Sequence, residues 1–372
     1  MKTELSIDQR SQSGWSGVLK NPISGLVIAL IVMGIFAPFG LFTGFSTVAI
    51  IGVALVAWLA VENGGNDVSK GVAPLVTAGA VGEVGALIYG SIVTAVGSML
   101  SIYVSMQLLK LFTAGLINPD LKVTGGMVLA MAAGASLWVS LATRYSLPVS
   151  TTHAIVGAVI AVGAVAFGLS GVMWSNLVGK VVVPLLFSPF VGLACAYLVG
   201  FLFSLLRLPA NAGKATAWVS SGAVCFVRAL NDTPKIVGIA VLTAFADLKD
   251  ANESTLLPLF LLITVAMSAG SLIKGMNVLQ LLSRKMTQST DTNNASASVL
   301  TTAALVMLSS KLGLPVSTTH VSTSAIIGAG LRQGKGAVNW GVVRDMALSW
   351  VVTLPAAGLF AAVVYFIYKM FY

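Results

Sequence analysis

The stretch LPVSTTH, Leu147 to His153, occurs a second time without change at Leu314 to His320, 167 positions later. Working outward from it, NDVSK at Asn66 to Lys70 is answered by NDTPK at Asn231 to Lys235 at an offset of 165, and Trp174 by Trp340 at 166. Three collinear matches at nearly one spacing point to an internal duplication, the first thing to look for in a long apolar chain.

Composition sets the medium in which the two halves fold. Of the 372 residues, 57% are hydrophobic and only 9% are charged, and the mean hydropathy is +0.94. A soluble domain carries about 25% charged residues, so this is a chain for a lipid bilayer. Its length allows roughly ten spans or membrane hairpins at about 20 residues each. The net charge of +9 is spread over short loops, which reads as membrane topology rather than nucleic-acid binding. Cys195 and Cys225 both sit in apolar runs and offer neither a disulfide framework nor metal-ligand spacing.

Residues 1–21 read as a polar tail, and the run Ile23 to Phe42 is too long for a signal-peptide core and becomes the first span. Apolar stretches follow at 46–62, 68–81, 84–109, 124–143, 147–168 and 174–206, and then at 217–230, 233–246, 255–282, 297–310, 313–331 and 341–371. Polar segments at Arg207 to Lys214 and Arg284 to Asn294 divide them. The expected organisation is a first membrane repeat over 22–206, a linker over 207–216 and a second repeat over 217–372. Inside a bilayer the backbone groups of each segment must be paired internally, so the expected fold is all-α. Duplication in so apolar a chain is the signature of a secondary transporter with its site at the repeat interface.

Two motifs carry the chemistry. Gly64, Gly65, Asn66 and Asp67 interrupt an apolar run, and the spacing predicts a helix broken there, as Asn231, Asp232 and Pro234 predict a second break. An aspartate at membrane depth costs several kcal/mol unless it faces a cavity, pairs with a cation or lies on a transport path. Freed carbonyls, Asn66, Asp67, Asn231 and Asp232 would make an oxygen-rich pocket for a hard monovalent cation such as sodium, or equally a proton site. Lys70 and Lys235 stand three residues beyond each aspartate, one helical turn away. They either neutralise the carboxylates, snorkel, or attract an anion.

In LPVSTTH a proline precedes three hydroxyl residues and a small-residue run, which predicts a helix N-terminus within a membrane hairpin, with the proline in its first turn. Ser150, Thr151 and Thr152, with Ser317, Thr318 and Thr319, exceed what capping needs, since a cap uses one hydroxyl. With free backbone donors and the positive end of the helix dipole they form an anion cradle. His153 and His320 read as packed, hydrogen-bonded neighbours. Glu62 and Glu83 are secondary candidates for cation ligands.

An Asn-Asp motif followed about 90 residues later by a P-x-S-T-T-H hairpin, with both repeated, resembles the PiT family of inorganic phosphate transporters over Leu55 to Pro355. The resemblance implies two inverted repeats with broken helices and re-entrant hairpins, in the plasma or inner membrane. It implies cation-coupled phosphate symport by alternating access, with sodium or protons as the driving ion and no other cofactor. The functional positions it implies are Asn66, Asp67, Ser150, Thr151, Thr152, Asn231, Asp232, Ser317, Thr318 and Thr319. The chain departs from the family pattern in having Val68, Ser69 and Lys70 after the first Asn-Asp.

Phosphate near neutral pH keeps a proton that sulfate lacks, so Asp67 and Asp232 could accept a hydrogen bond from phosphate alone and act as a filter. A permease for sulfate or another tetrahedral oxyanion is the alternative. No nucleotide-binding loop supports a pump, and no nucleophile or metal constellation supports an enzyme. The partners expected are phosphate, the coupling cation and the bilayer, and a homodimer is compatible with the sequence.

Overall fold

The computed structural model describes residues 21–206, 210–244, 253–283 and 292–371. The expected polar tail, apart from residue 21, residues 207–209 of the expected linker, and most of the polar segment 284–294 lie outside them.

The chain is a stack of helices: α1 Pro22–Phe36, α2 Thr47–Thr77, α3 Glu83–Val104, α4 Met106–Ala114, α5 Gly125–Arg144, α6 Thr151–Phe167 and α7 Val183–Leu206. The second series is α8 Ala210–Ala244, α9 Glu253–Lys274, α10 Met276–Leu281, α11 Thr292–Lys311, α12 Thr318–Leu331 and α13 Trp340–Phe371. The order of α2 to α7 thus recurs in α8 to α13, with α1 in front. A short helical turn at Trp174–Asn176 and a π-helical stretch at Leu177–Val182 lead into α7. Among the described residues seven segments are long and apolar enough to cross a membrane, fewer than the roughly ten that length allows. Two apolar runs divide, 84–109 at Ser105 and 255–282 at Gly275, and α4 and α10 are too short to span.

Burial differs from that of a soluble protein at the outer surface and in the charges kept inside. Val84, Ile88, Ile92, Val96 and Leu100 form an exposed apolar stripe at every fourth residue of α3, while Glu62, Asp67, Lys70, Arg228, Asp232, Lys235 and Lys274 are all buried. The outer helices offer lipid their apolar faces and keep the charges inside. From Val56 to Leu75 in α2 and from Val227 to Val241 in α8 every residue is buried, which makes these two helices the centre of the molecule.

The helices expected to be broken are continuous. α2 runs through Gly64, Gly65, Asn66 and Asp67 as one helix of 31 residues, and α8 runs through Pro234 over 35 residues. The glycines serve packing instead. A Cβ on Gly64 would collide with the Met267 carbonyl of α9, and one on Gly270 of α9 with the Val61 carbonyl of α2. Backbones approach this closely in membranes only through small residues. Pro234 costs α8 one backbone bond without ending the helix, because both flanks are held by packing on α2, α3 and α11. The expected linker also shortens, since α8 is already helical from Ala210.

Non-helical backbone appears instead in the two segments that carry LPVSTTH. Ser146 and Gly313 adopt φ of 58° and 67°. Around them Leu147 N–H donates to Ala142 O and Ser146 N–H to Thr143 O, as Leu314 N–H does to Ser309 O and Gly313 N–H to Ser310 O. This is the Schellman stop of α5 and of α11, and a proline shortly after it prevents the helix from resuming. Pro148 and Pro315 therefore end the preceding helix, and do not occupy the first turn of the next as their spacing suggests. Ser150 and Ser317 then cap α6 and α12 by accepting from His153 N–H and His320 N–H, each at 3.2 Å.

Packing between the halves is reciprocal. α2 lies on α9 and α8 on α3, while α6 lies on α13 and α12 on α7.

Candidate functional site

The ten positions singled out by motif come together at the centre, where α2 and α8 meet the N-termini of α6 and α12. Each motif lysine sits in a cage of three oxygens. Lys70 Nζ donates to Asp67 Oδ1, to Thr319 Oγ1 and, at 3.2 Å, to Val149 O. Lys235 Nζ donates to Thr152 Oγ1 at 2.7 Å, to Asp232 Oδ1 at 3.2 Å and to Val316 O at 3.3 Å. The cages correspond member for member, and each takes its threonine from the other half of the chain. Lysine has three donors and no acceptor, so both ammonium groups are fully used.

The asparagines hold the turns. Asn66 Nδ2 donates to Leu147 O at 2.8 Å and its Oδ1 accepts from Val149 N–H at 3.1 Å. Asn231 Nδ2 donates to Val316 O at 3.1 Å. Backbone groups left unpaired at membrane depth need such partners. The cation role expected for Asn66 and Asn231 thus meets side chains already engaged with the turns at Leu147, Val149 and Val316.

Among the capping triplets only Ser150 and Ser317 cap. Thr151 Oγ1 accepts from Asn63 Nδ2 at 2.9 Å, Thr318 donates to Asp67 Oδ2 at 3.2 Å, and Thr319 donates to Val149 O at 2.7 Å. Thr151 and Thr152 each accept a hydrogen bond and keep a hydroxyl proton to donate to an anion. His153 and His320 pack with ring centroids 4.7 Å apart and planes tilted by 43°, and His320 lies 4.1 Å from the Trp350 ring. Both histidines are packed as expected, but of the two only His153 has a ring hydrogen bond, between Nδ1 and Ser150 Oγ at 2.8 Å, while both ring nitrogens of His320 are buried without one.

Arg228 lies within a stretch that reads as apolar, and no motif marks it. It is 1% exposed, donates to Thr94 Oγ1 at 2.7 Å and to Asn63 Oδ1 at 3.4 Å, and its Nε is buried without a partner. Asn63 and Arg228 are equivalent positions, separated by 165 residues, so the two copies touch one another here. Glu62 pairs with Lys274 and accepts from Trp58 and Ser140 at 3.2 and 3.1 Å. Glu83 accepts from Gln280 at 3.1 Å. The signal that could have found Arg228 is its own charge, an arginine in a membrane-depth helix three residues before Asn231.

The buried charges then sum simply. Asp67, Asp232 and Glu62 each pair with a lysine, and among the described residues Arg228 has no carboxylate partner. The centre carries one surplus positive charge beside two hydroxyl-bearing helix N-termini, which suits an anion.

A family model described as "Phosphate transporter family" matches residues 63–218 and 210–361. The chain is 28% identical to a "Probable low-affinity inorganic phosphate transporter" of Mycobacterium leprae, over 82% of this chain and 74% of that one. It is 28% identical to a protein of the same description from Bacillus subtilis, over 83% and 94%. A solved structure described as "The sodium-dependent phosphate transporter" superposes with a TM-score of 0.74 at 23% identity, covering 87% of this chain and 100% of the other, a likeness of fold. With the family model spanning both halves and every motif described above, the chain belongs to the phosphate transporter family.

Proposed function

We propose that this protein is a secondary transporter of inorganic phosphate in the plasma or inner membrane, coupled to a cation and working by alternating access. The observation that carries the reading is the meeting of two Ser-Thr-Thr helix N-termini in a buried centre with one positive charge in surplus. Phosphate would lie between α6 and α12, taking hydrogen bonds from Thr151, Thr152, Ser317 and the backbone N–H groups of the first turns, with Arg228 as its charge partner. Asp67 and Asp232 keep lone pairs that can accept from a protonated phosphate oxygen, which sulfate cannot supply.

The relatives described as phosphate transporters support the substrate. The reciprocal packing of α2 on α9 and α8 on α3 supports two repeats, over 22–206 and 217–372, which we read as inverted, with α5–α6 and α11–α12 as re-entrant hairpins. The exposed apolar faces of α1, α3, α7 and α13 need only lipid, so the homodimer rests on a mass measurement in nanodiscs.

The test is labelled-phosphate uptake into proteoliposomes. Uptake should saturate, be inhibited by unlabelled phosphate far better than by sulfate, and lose that preference in Asp232→Asn. Sulfate taken up better than phosphate would sink the reading in favour of a sulfate permease.

A further inference from the structure

We propose that Lys70 and Lys235 are tethered cations: their ammonium groups fill the two oxygen cages that would otherwise bind metal coupling ions, so transport runs without sodium. The inference rests on the phosphate reading only for its uptake arm.

The surroundings of each nitrogen are those of a bound cation. A carboxylate oxygen, a threonine hydroxyl and a backbone carbonyl released at a hairpin are the ligands from which membrane transporters build sodium sites. Lys70 takes Asp67, Thr319 and Val149, and Lys235 takes Asp232, Thr152 and Val316. Two cages of the same composition, each with a lysine head at its centre, are hard to explain as two incidental ion pairs.

Each carboxylate is also occupied on its other side. Asp67 Oδ2 accepts from Thr318 at 3.2 Å, and Asp232 Oδ2 lies 3.4 Å from Asn63 Nδ2. A sodium ion entering either cage would have to displace the ammonium or sit beside it, with Arg228 adding a further positive charge that acts on both aspartates.

A tethered cation has a structural consequence that a bound ion lacks. Because Lys70 reaches from α2 to the α12 N-terminus and Lys235 from α8 to the α6 N-terminus, each hydroxyl cradle is tied to the opposite half in this conformation with no ion needed to assemble it.

Two measurements on the intact protein decide it. In the first, the melting temperature of the purified wild type is compared in sodium chloride and choline chloride at equal ionic strength. The expectation is no shift, with Lys70→Ala/Lys235→Ala gaining sodium-dependent stabilisation of several degrees. In the second, phosphate uptake is measured with sodium replaced by N-methylglucamine. Wild-type rates should stay within twofold, while Lys70→Ala should fall at least tenfold and recover in part with added methylammonium or sodium.

A tenfold loss of wild-type uptake without sodium, or a wild-type melting point raised by sodium, overturns the proposal. Both wild-type arms stand even where a variant fails to fold. Absence of phosphate uptake in every ionic condition would defeat the transport reading, and the melting comparison would still decide the lysines.

Discussion

Asn63 and Arg228 occupy the same place in the two copies of the Asn-Asp helix, and they touch. Everything around them is closely matched, down to the lysine cages, the serine caps and the left-handed corners at residues 146 and 313. At this contact the copies differ in charge, and the reason is physical. Two arginines would repel in a buried centre, and two asparagines would leave three carboxylates balanced by three lysines, with no net charge for an anion to meet. The pair Asn63 and Arg228 solves both problems, since the amide oxygen accepts from the guanidinium and the surplus charge remains.

Making the copies alike is therefore the harshest test of that comparison. Arg228→Asn removes the surplus charge, and a charged hydrogen bond is worth about 1.5–3 kcal/mol. Phosphate uptake should fall by about a hundredfold, read as initial rate against phosphate concentration, while the fold persists by size-exclusion chromatography. Uptake within threefold of wild type would show that the surplus charge has no role in binding.

Thr151 and Thr318 are likewise equivalent positions, with different partners. Thr318 spends its proton on Asp67, whereas Thr151 accepts from Asn63 and keeps its proton. Thr151→Val should raise the apparent KM for phosphate about tenfold, the effect of one lost donor of about 1.4 kcal/mol. Thr318→Val should act more on phosphate over sulfate selectivity, through an Asp67 carboxylate left with one partner fewer. Equal effects on both parameters would remove the distinction.

The smallest effect concerns the corners. Ser146 and Gly313 both adopt positive φ, and only glycine does so without strain. Ser146→Gly should stabilise the protein slightly. Gly313→Ala should destabilise it by about 1 kcal/mol, because the added Cβ is strained by its backbone and crowds Gln107. Thermal melts at fixed detergent would read both, and opposite signs are the expected outcome.

Much of the site is legible in the chain itself, and the misreadings have particular causes. Asp67, Asp232 and the two Ser-Thr-Thr triplets announce themselves because polar residues in apolar runs are expensive. Pro148 and Pro315 are easily assigned to the wrong helix, because a proline after a C-cap and one opening a helix look alike in sequence. Gly64 and Gly65 read as a break because their use depends on α9, whose approach about 200 residues further along the chain no local pattern reveals; the Ser271 to Gly64 contact spans 207 positions.

What the sequence determined by itself is the medium, the duplication and the residue types at the centre, since hydropathy and repeated strings are properties of the chain read in order. Only the tertiary structure decided which half serves which cage. Lys70 finds Thr319 across 249 residues and Lys235 finds Thr152 across 83, and Arg228 meets its own counterpart. Such pairings arise when α2 and α8 are buried against one another, where each charge must find a partner in the space that packing leaves and not among its neighbours in sequence.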